Sequence, residues 1–300
     1  MNQPMQELEK RIQTITAAME QCSDLLRKLQ HGDLRVSSKS NPRDLVTRAD
    51  RESEEILINC IQSQFPEDSI LAEESGSLPA GPGPAQDMGG PVPSPVEDAA
   101  EKGNSNPSQY RWVLDPLDGT VNYTHGSPQY AVSAGIMRGD ECLAGAILHP
   151  GTGDLYTAIQ GRGAFKNGKP IYVSKREPMD QCLVVTGFPY SRQEFLDVLL
   201  TGIKLTLQNA RGLRRTGACC VDLTYLAEGI FDAHYEFFLK PWDTAAATCI
   251  VREAGGVLTS LAGHSYVPGM PLLLATNGKI HEQFIQVLKP LQEIMPGEKL

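Results

Sequence analysis

The sequence predicts an α/β protein of stacked helix and sheet layers rather than a barrel. Helix-like and strand-like segments alternate in both halves, and the middle third is a run of strand patterns separated by Gly-rich turns. Two acidic clusters, at 115–120 and 242–246, each fall where an apolar run gives way to a turn and a helix.

Leu8, Ile12, Ile15, Met19, Cys22, Leu26 and Leu29 alternate spacings of four and three, which draws one apolar stripe on a first helix ending near Gly32. The heptad is too short for a coiled coil, so this helix packs on a core. A second helix runs from about Ala49 to Gln64, burying Ile56, Leu57 and Ile61 and stopping before Pro66. Ser69 to Ala72 is a short strand that delivers Glu73 at its end.

From 76 to 109 Gly and Pro are dense and no aromatic residue or Ile occurs, a composition that buries too little apolar surface to offset its ordering entropy. It is expected to be a flexible insertion. Strands follow at Trp112–Leu114, Ala131–Met137, Leu143–His149 and Leu155–Ile159, and Asn167-Gly168 makes a hairpin turn. Helices are expected near Arg192–Gln208, Cys219–Ala227 and Asp243–Ala254, the last stopped by Gly255-Gly256. Strands at Leu183–Thr186, Ala233–Phe238 and Leu272–Ala275 lie between them.

Composition narrows the function classes. A formal charge of −9 and a pI near 5.2 argue against a nucleic-acid partner or an anionic membrane, which reward exposed Lys and Arg. Seven cysteines without C-x-x-C spacing indicate reduced thiols rather than a disulfide framework. The polar start and the lack of a membrane-length apolar run predict a soluble, cytoplasmic protein.

The chemistry lies in the acids. Pro116 pushes Asp115 toward an extended conformation at the end of a strand, and Asp118-Gly119-Thr120 makes the tight turn after it. An isolated Asp-Gly is ordinarily a plain β-turn. Here a second Asp, a Thr and a buried strand accompany it, so both carboxylates and the Leu117 carbonyl can face one ion. Asp243, before Ala245-Ala246-Ala247, is an obvious helix N-cap, a role compatible with metal coordination. Converging carboxylates repel unless a cation lies between them, and Mg²⁺ prefers such hard oxygen donors.

These pieces together resemble the inositol monophosphatase family. The residues that carry the resemblance are Asp44-Leu45-Val46-Thr47 with Asp50, Glu73-Glu74-Ser75, WVLDPLDGTVN from Trp112 to Asn122 with His125-Gly126, and WDTAAATCIVREAGG from Trp242 to Gly256. Weaker echoes are Gly161 to Ala164, Thr186 to Pro189 and Arg214 to Gly217. The match spans nearly the whole chain outside 76–109.

The resemblance implies a layered αβαβα sandwich of the sugar-phosphatase type. It also implies a single catalytic domain, 1–300, with an N-terminal α+β part to about 180 and a C-terminal α/β part from about 181. Glu73, Asp115, the Leu117 carbonyl, Asp118 and Asp243 would hold two or three Mg²⁺ ions. Glu73 and Thr120, the latter supported by Asp50, would orient and deprotonate the attacking water. The amides of Gly119, Thr120, Gly217, Ala218 and Cys219 would meet phosphate, with Asp118, Asp243 and Glu236 contacting the rest of the substrate. The implied activity is hydrolysis of myo-inositol monophosphate or a similar small polyol or sugar phosphate, lithium-sensitive, by a homodimer.

Two departures stand out. Where the family often has Ser or Thr and then Ala after the glycine, this chain has Ala218 and Cys219, which removes a hydroxyl contact to phosphate. Cys219 lacks a following C-x₅-R loop and so is a small packing residue, not a nucleophile; His125 is expected to be structural and hydrogen-bonded rather than a general acid. Fructose-1,6-bisphosphatase and histidinol-phosphate phosphatase are rival activities on this scaffold. A bisphosphatase would need Arg192, Arg211, Arg214 and Arg215 to form a cationic pocket. A non-catalytic regulatory protein of the same fold would be expected to show a broken acidic position, and none is broken.

Overall fold

In the computed structural model, which describes residues 3–30, 32, 36–39, 45–81 and 109–294, the N-terminal apolar stripe is the buried face of α1 (Gln3–Leu29). A two-residue ladder of β1 (Ser37–Ser38) with β2 (Leu45–Val46) leads to α2 (Arg48–Gln64). A capping box starts α2: Ala49 N–H donates to Thr47 Oγ1, and Thr47 N–H donates back to Asp50 Oδ2 at 2.8 Å. Leu57 and Ile61 are buried on α2 as expected, and Ile56 is half-buried.

Both helices cover one face of an eight-stranded sheet. The chain runs through β3 (Ser69–Ala72), β4 (Gly76–Leu78), β5 (Arg111–Asp118), the short α3 (Thr120–Thr124), β6 (Ala131–Arg138) and β7 (Glu141–His149). It closes with β8 (Asp154–Ile159), β9 (Ala164–Lys166) and β10 (Lys169–Ile171), in spatial order β10-β9-β8-β7-β6-β5-β3-β4. Among the described residues of this sheet, only the β3–β5 pair is parallel.

The second sheet has the order β12-β11-β13-β15-β14, from β11 (Leu183–Thr186), β12 (Gly212–Arg214), β13 (Ala233–Phe237), β14 (Val257–Thr259) and β15 (Leu272–Thr276). Between the sheets lie α5 (Cys219–Ala227) and α6 (Pro241–Glu253); α4 (Leu196–Asn209), α7 (His281–Leu288) and α8 (Leu291–Ile294) cover the outer face. Three separate apolar clusters correspond to the helix–sheet interfaces, so the layering is the expected αβαβα sandwich.

The central layer packs closely because the strands beneath α6 present glycine. A Cβ on Gly145 would lie 2.4 Å from the Ala246 carbonyl oxygen, and one on Gly135 would lie 2.8 Å from Ala245 Cβ. The Ala-Ala-Ala run read as a helix former is therefore also the contact surface that sets the depth of α6.

Several expectations shift. Gly76–Leu78, assigned to the insertion, pairs antiparallel with β3 through a tight turn in which Gly76 has φ +71°. Residues 82–108 of the insertion, like Asp44, lie outside the described residues. The helix expected from Arg192 begins at Leu196, because successive turns anchored on Pro189, Ser191 and Arg192 precede it. Helix α6 starts at Pro241, so Asp243 is its third residue rather than its N-cap. The small elements β1, β2, β4, β12, β14, α7 and α8 had no reading in the sequence, whereas α3 is the helix expected after the 115–120 cluster. All seven cysteines are free thiols, and no described helix is long and apolar enough to cross a membrane.

Candidate active site

The acids converge at one end of the sandwich, brought there by four elements. Asp115 and Asp118 are an odd number apart on β5, and a regular pleat would turn them to opposite faces. The register of β5 against β6 shifts between these two residues, a bulge that returns both to the same side. Leu117 N–H donates to Asp115 Oδ1 at 3.0 Å and braces the bulge.

Asp118 then reaches the first residues of α5. Cys219 N–H donates to its Oδ1 at 3.1 Å and Cys220 N–H to its Oδ2 at 2.8 Å. The carboxylate thus caps a helix whose own N-cap, Ala218, has no side-chain acceptor. The Cys219 amide is engaged there, which leaves Gly217 and Ala218 as the unengaged members of that expected phosphate cradle. Gly119 and Gly217 hold φ of +86° and +96°, the left-handed region that glycine occupies without strain.

Thr120 Oγ1 lies 3.0 Å from Asp50 Oδ1 and 3.1 Å from the Leu117 carbonyl oxygen, both as acceptors. Asp50 is fully buried, and its other oxygen accepts from Thr47 Oγ1 at 2.6 Å. The residue that starts α2 therefore also holds the Thr120 hydroxyl. Burial pushes the Asp50 carboxyl up to about 6, opposed by the Thr47 hydrogen bonds.

Glu73 follows β3, with its N–H donating to the Leu114 carbonyl at 3.2 Å, and Asp243 accepts from Lys240 N–H at 2.7 Å on the first turn of α6. Burial, then the charges of Glu73, Asp118 and Asp243, pushes Asp115 well above the ordinary carboxylate range. Burial and Glu73 do the same to Asp243. Burial takes Asp118 to about 7 against the pull of the α5 amides. Carboxylates that raise one another in this way form a single electrostatic unit.

Two participants were not visible in the sequence. Lys39 Nζ lies 2.7 Å from Glu73 Oε1 and also bonds Glu74, so an ammonium group occupies the acidic mouth. Nothing in Ser37-Ser38-Lys39 marked it. Glu54, buried on α2, accepts from Glu74 N–H at 2.8 Å and from the Ser75 hydroxyl, fixing the Glu-Glu-Ser turn. The acidic run from Glu52 to Glu55 reads as a solvated face.

On the opposite wall, Glu236 projects from β13 and its Oε2 lies 3.1 Å from His234 Nε2. Its charge is felt at Asp118, Asp243 and Cys219. His125 is exposed at the C-cap of α3 and its backbone N–H, not its ring, makes the hydrogen bonds, so the expected bonded side chain is corrected. Arg211, Arg214 and Arg215 are exposed; Arg214 bonds the neighbouring Leu213 carbonyl and Arg215 lies over the Phe188 ring. Arg192 is half-buried, and the Arg215 guanidinium lies against Gly217, where an added Cβ would be 2.6 Å from its Nη1.

The chain resembles known proteins throughout its length. A family model described as the inositol monophosphatase family matches residues 6–293. A fructose-1,6-bisphosphatase/inositol-1-monophosphatase of Aquifex aeolicus is 36% identical over 252 residues, 84% of each chain. The Nus factor SuhB of Pseudomonas aeruginosa is 30% identical over 268 residues, 89% of this chain and 90% of that protein. Among solved structures, an inositol monophosphatase from Anabaena superposes with a TM-score of 0.79 at 30% identity, covering 95% of this chain and 97% of the other.

Proposed function

The chain belongs to the inositol monophosphatase family, and on that premise we propose that it is a Mg²⁺-dependent phosphomonoesterase acting on myo-inositol monophosphate or a similar small polyol phosphate. Family membership supports phosphatase chemistry; the choice of a polyol ester is our reading. The observation that carries it is the gathering of buried Asp115 and Asp118 and half-buried Asp243 about Glu73, whose charge reaches all three. Such a cluster is costly without a compensating cation, and its donors are all oxygen, as Mg²⁺ requires.

In this reading Glu73, Asp115, Asp118, Asp243 and the Leu117 carbonyl would hold two or three Mg²⁺ ions. When bound, the metal supplies positive charge that draws in the phosphate and makes a nearby water easier to deprotonate. The Thr120 hydroxyl, held by Asp50, and the Glu73 carboxylate orient that water for in-line attack and take its proton. Backbone amides of Gly119, Thr120, Gly217 and Ala218 meet phosphate oxygens, and Glu236 accepts hydrogen bonds from substrate hydroxyls. Lys39 Nζ partly neutralises the Glu73 and Glu74 carboxylates at the mouth.

Side-by-side kcat/KM for inositol 1-phosphate, fructose 1,6-bisphosphate and histidinol phosphate tests the assignment, with Asp118→Asn as the control. Preference for either rival, or wild-type turnover in Asp118→Asn, overturns it. Lithium inhibition at millimolar levels and a homodimer in light scattering belong to the same reading. A cytoplasmic setting agrees with seven free thiols.

A further inference from the structure

His234 and Glu236 are two residues apart on β13 and so share a face of the strand, while Cys219 opens α5. One donor atom from each of the three lies within 4.8 Å of the other two. All three side chains are buried. His234 Nε2 is 3.1 Å from Glu236 Oε2, whereas its Nδ1 is buried with no hydrogen-bond partner. A buried orphan nitrogen is costly, and a packing role for the ring leaves it unexplained.

This trio differs in kind from the acids beside it. A thiol, an imidazole and a carboxylate make a borderline-soft set suited to Zn²⁺, whereas Mg²⁺ takes only hard oxygen. With bonds of about 2.0–2.3 Å, tetrahedral zinc ligands sit roughly 3.3–3.7 Å apart. The three donor atoms already lie within 4.8 Å of one another, so closing onto one ion takes shifts of at most about 1.5 Å. Three protein ligands leave the fourth position open to water or substrate.

We propose that Cys219, His234 and Glu236 form a Zn²⁺ site distinct from the oxygen cluster, and that its occupation closes the polyol side of the pocket. On binding, Cys219 Sγ loses its proton to solvent and forms a bond to the ion. One ring nitrogen of His234 contributes its lone pair, the other keeps the ring proton, and Glu236 contributes a carboxylate oxygen. The carboxylates of Asp118 and Asp243 nearby add negative charge that draws in a dication. Closure of the pocket rests on the function proposed above; metal binding does not.

Co²⁺ titration of the full chain in excess Mg²⁺ tests the site, because cobalt bound to thiolate shows a charge-transfer band that oxygen sites lack. One equivalent should bind with that band and be displaced by Zn²⁺. The band should vanish in Cys219→Ala, and Zn²⁺ affinity should fall at least tenfold there and in His234→Phe. In the wild type, Zn²⁺ should also slow alkylation of Cys219, read by mass spectrometry, which needs no variant. No band, a band that survives Cys219→Ala, or unchanged alkylation overturns the site. A Cys219-dependent band without competition between Zn²⁺ and inositol 1-phosphate upholds the site and overturns the pocket assignment.

Discussion

The Glu236 carboxylate occupies the space that a side chain on Gly187 would need: an added Cβ there would lie 1.9 Å from Glu236 Oε1. Gly187 follows β11, next to β13 in the sheet, so one strand end leaves room for the other's functional group. Gly187→Ala should push Glu236 out of position. With a hydrogen bond to a substrate hydroxyl lost, kcat/KM for inositol 1-phosphate should drop about tenfold or more while a simple aryl phosphate is affected less. Equal losses on both substrates would show that Glu236 does not read the alcohol.

Asp115 is expected to trade stability for metal binding. Its folded pKa is raised, so the stability linked to it is present at low pH and is lost as pH rises through the folded value. At pH 8 in EDTA, Asp115→Asn should therefore unfold at a higher temperature than the wild type. Mg²⁺ should raise the wild-type Tm and leave the variant unmoved. A variant that is less stable without metal would contradict the buried-charge account.

Gly145→Ala places a methyl group 2.4 Å from the Ala246 carbonyl. Over-packing of this kind costs about 1–3 kcal/mol. Because α6 also carries Asp243, the variant should lose Mg²⁺ affinity as well as Tm. Loss of stability with unaltered Mg²⁺ affinity would mean that α6 depth and Asp243 position are uncoupled.

His149 supplies a pH dependence away from the acids. It is buried against Tyr156 and Tyr225, with Nε2 3.0 Å from Thr224 Oγ1, and burial pushes it down to about 4 from an ordinary 6.5. The unfolded chain therefore binds a proton below pH 6.5 that the folded chain refuses. Its contribution is complete above 6.5 and shrinks as pH falls through 4, by about 3 kcal/mol in all. Denaturant unfolding at pH 7 and pH 4.5 should show a smaller decline in His149→Gln than in the wild type, the other titrations being common to both.

The sequence made the large elements legible because their signals are local. The 4/3 stripe of α1, the Asn-Gly hairpin and the glycine stop after α6 each depend on neighbours along the chain. The small strands β4, β12 and β14 owe their existence to a partner strand already in place, which no window of residues reports. The site followed the same division. Asp115, Asp118 and Asp243 announced themselves by motif, but the bulge that turns Asp115 and Asp118 to one side is a property of the β5–β6 register. Lys39 and Glu54 matter only through residues distant in sequence, so their side chains looked like ordinary surface.

The layers also divide the labour. Asp115, Asp118 and Glu73 belong to the large sheet and Asp243 to the helix pressed against it, whereas Gly187, His234 and Glu236 belong to the second sheet. On the function proposed above, cleavage and recognition thus ride on separate scaffolds. Natural drift in the smaller one can retarget the enzyme to a new alcohol without disarming it, and a laboratory library confined to those few positions offers the same freedom.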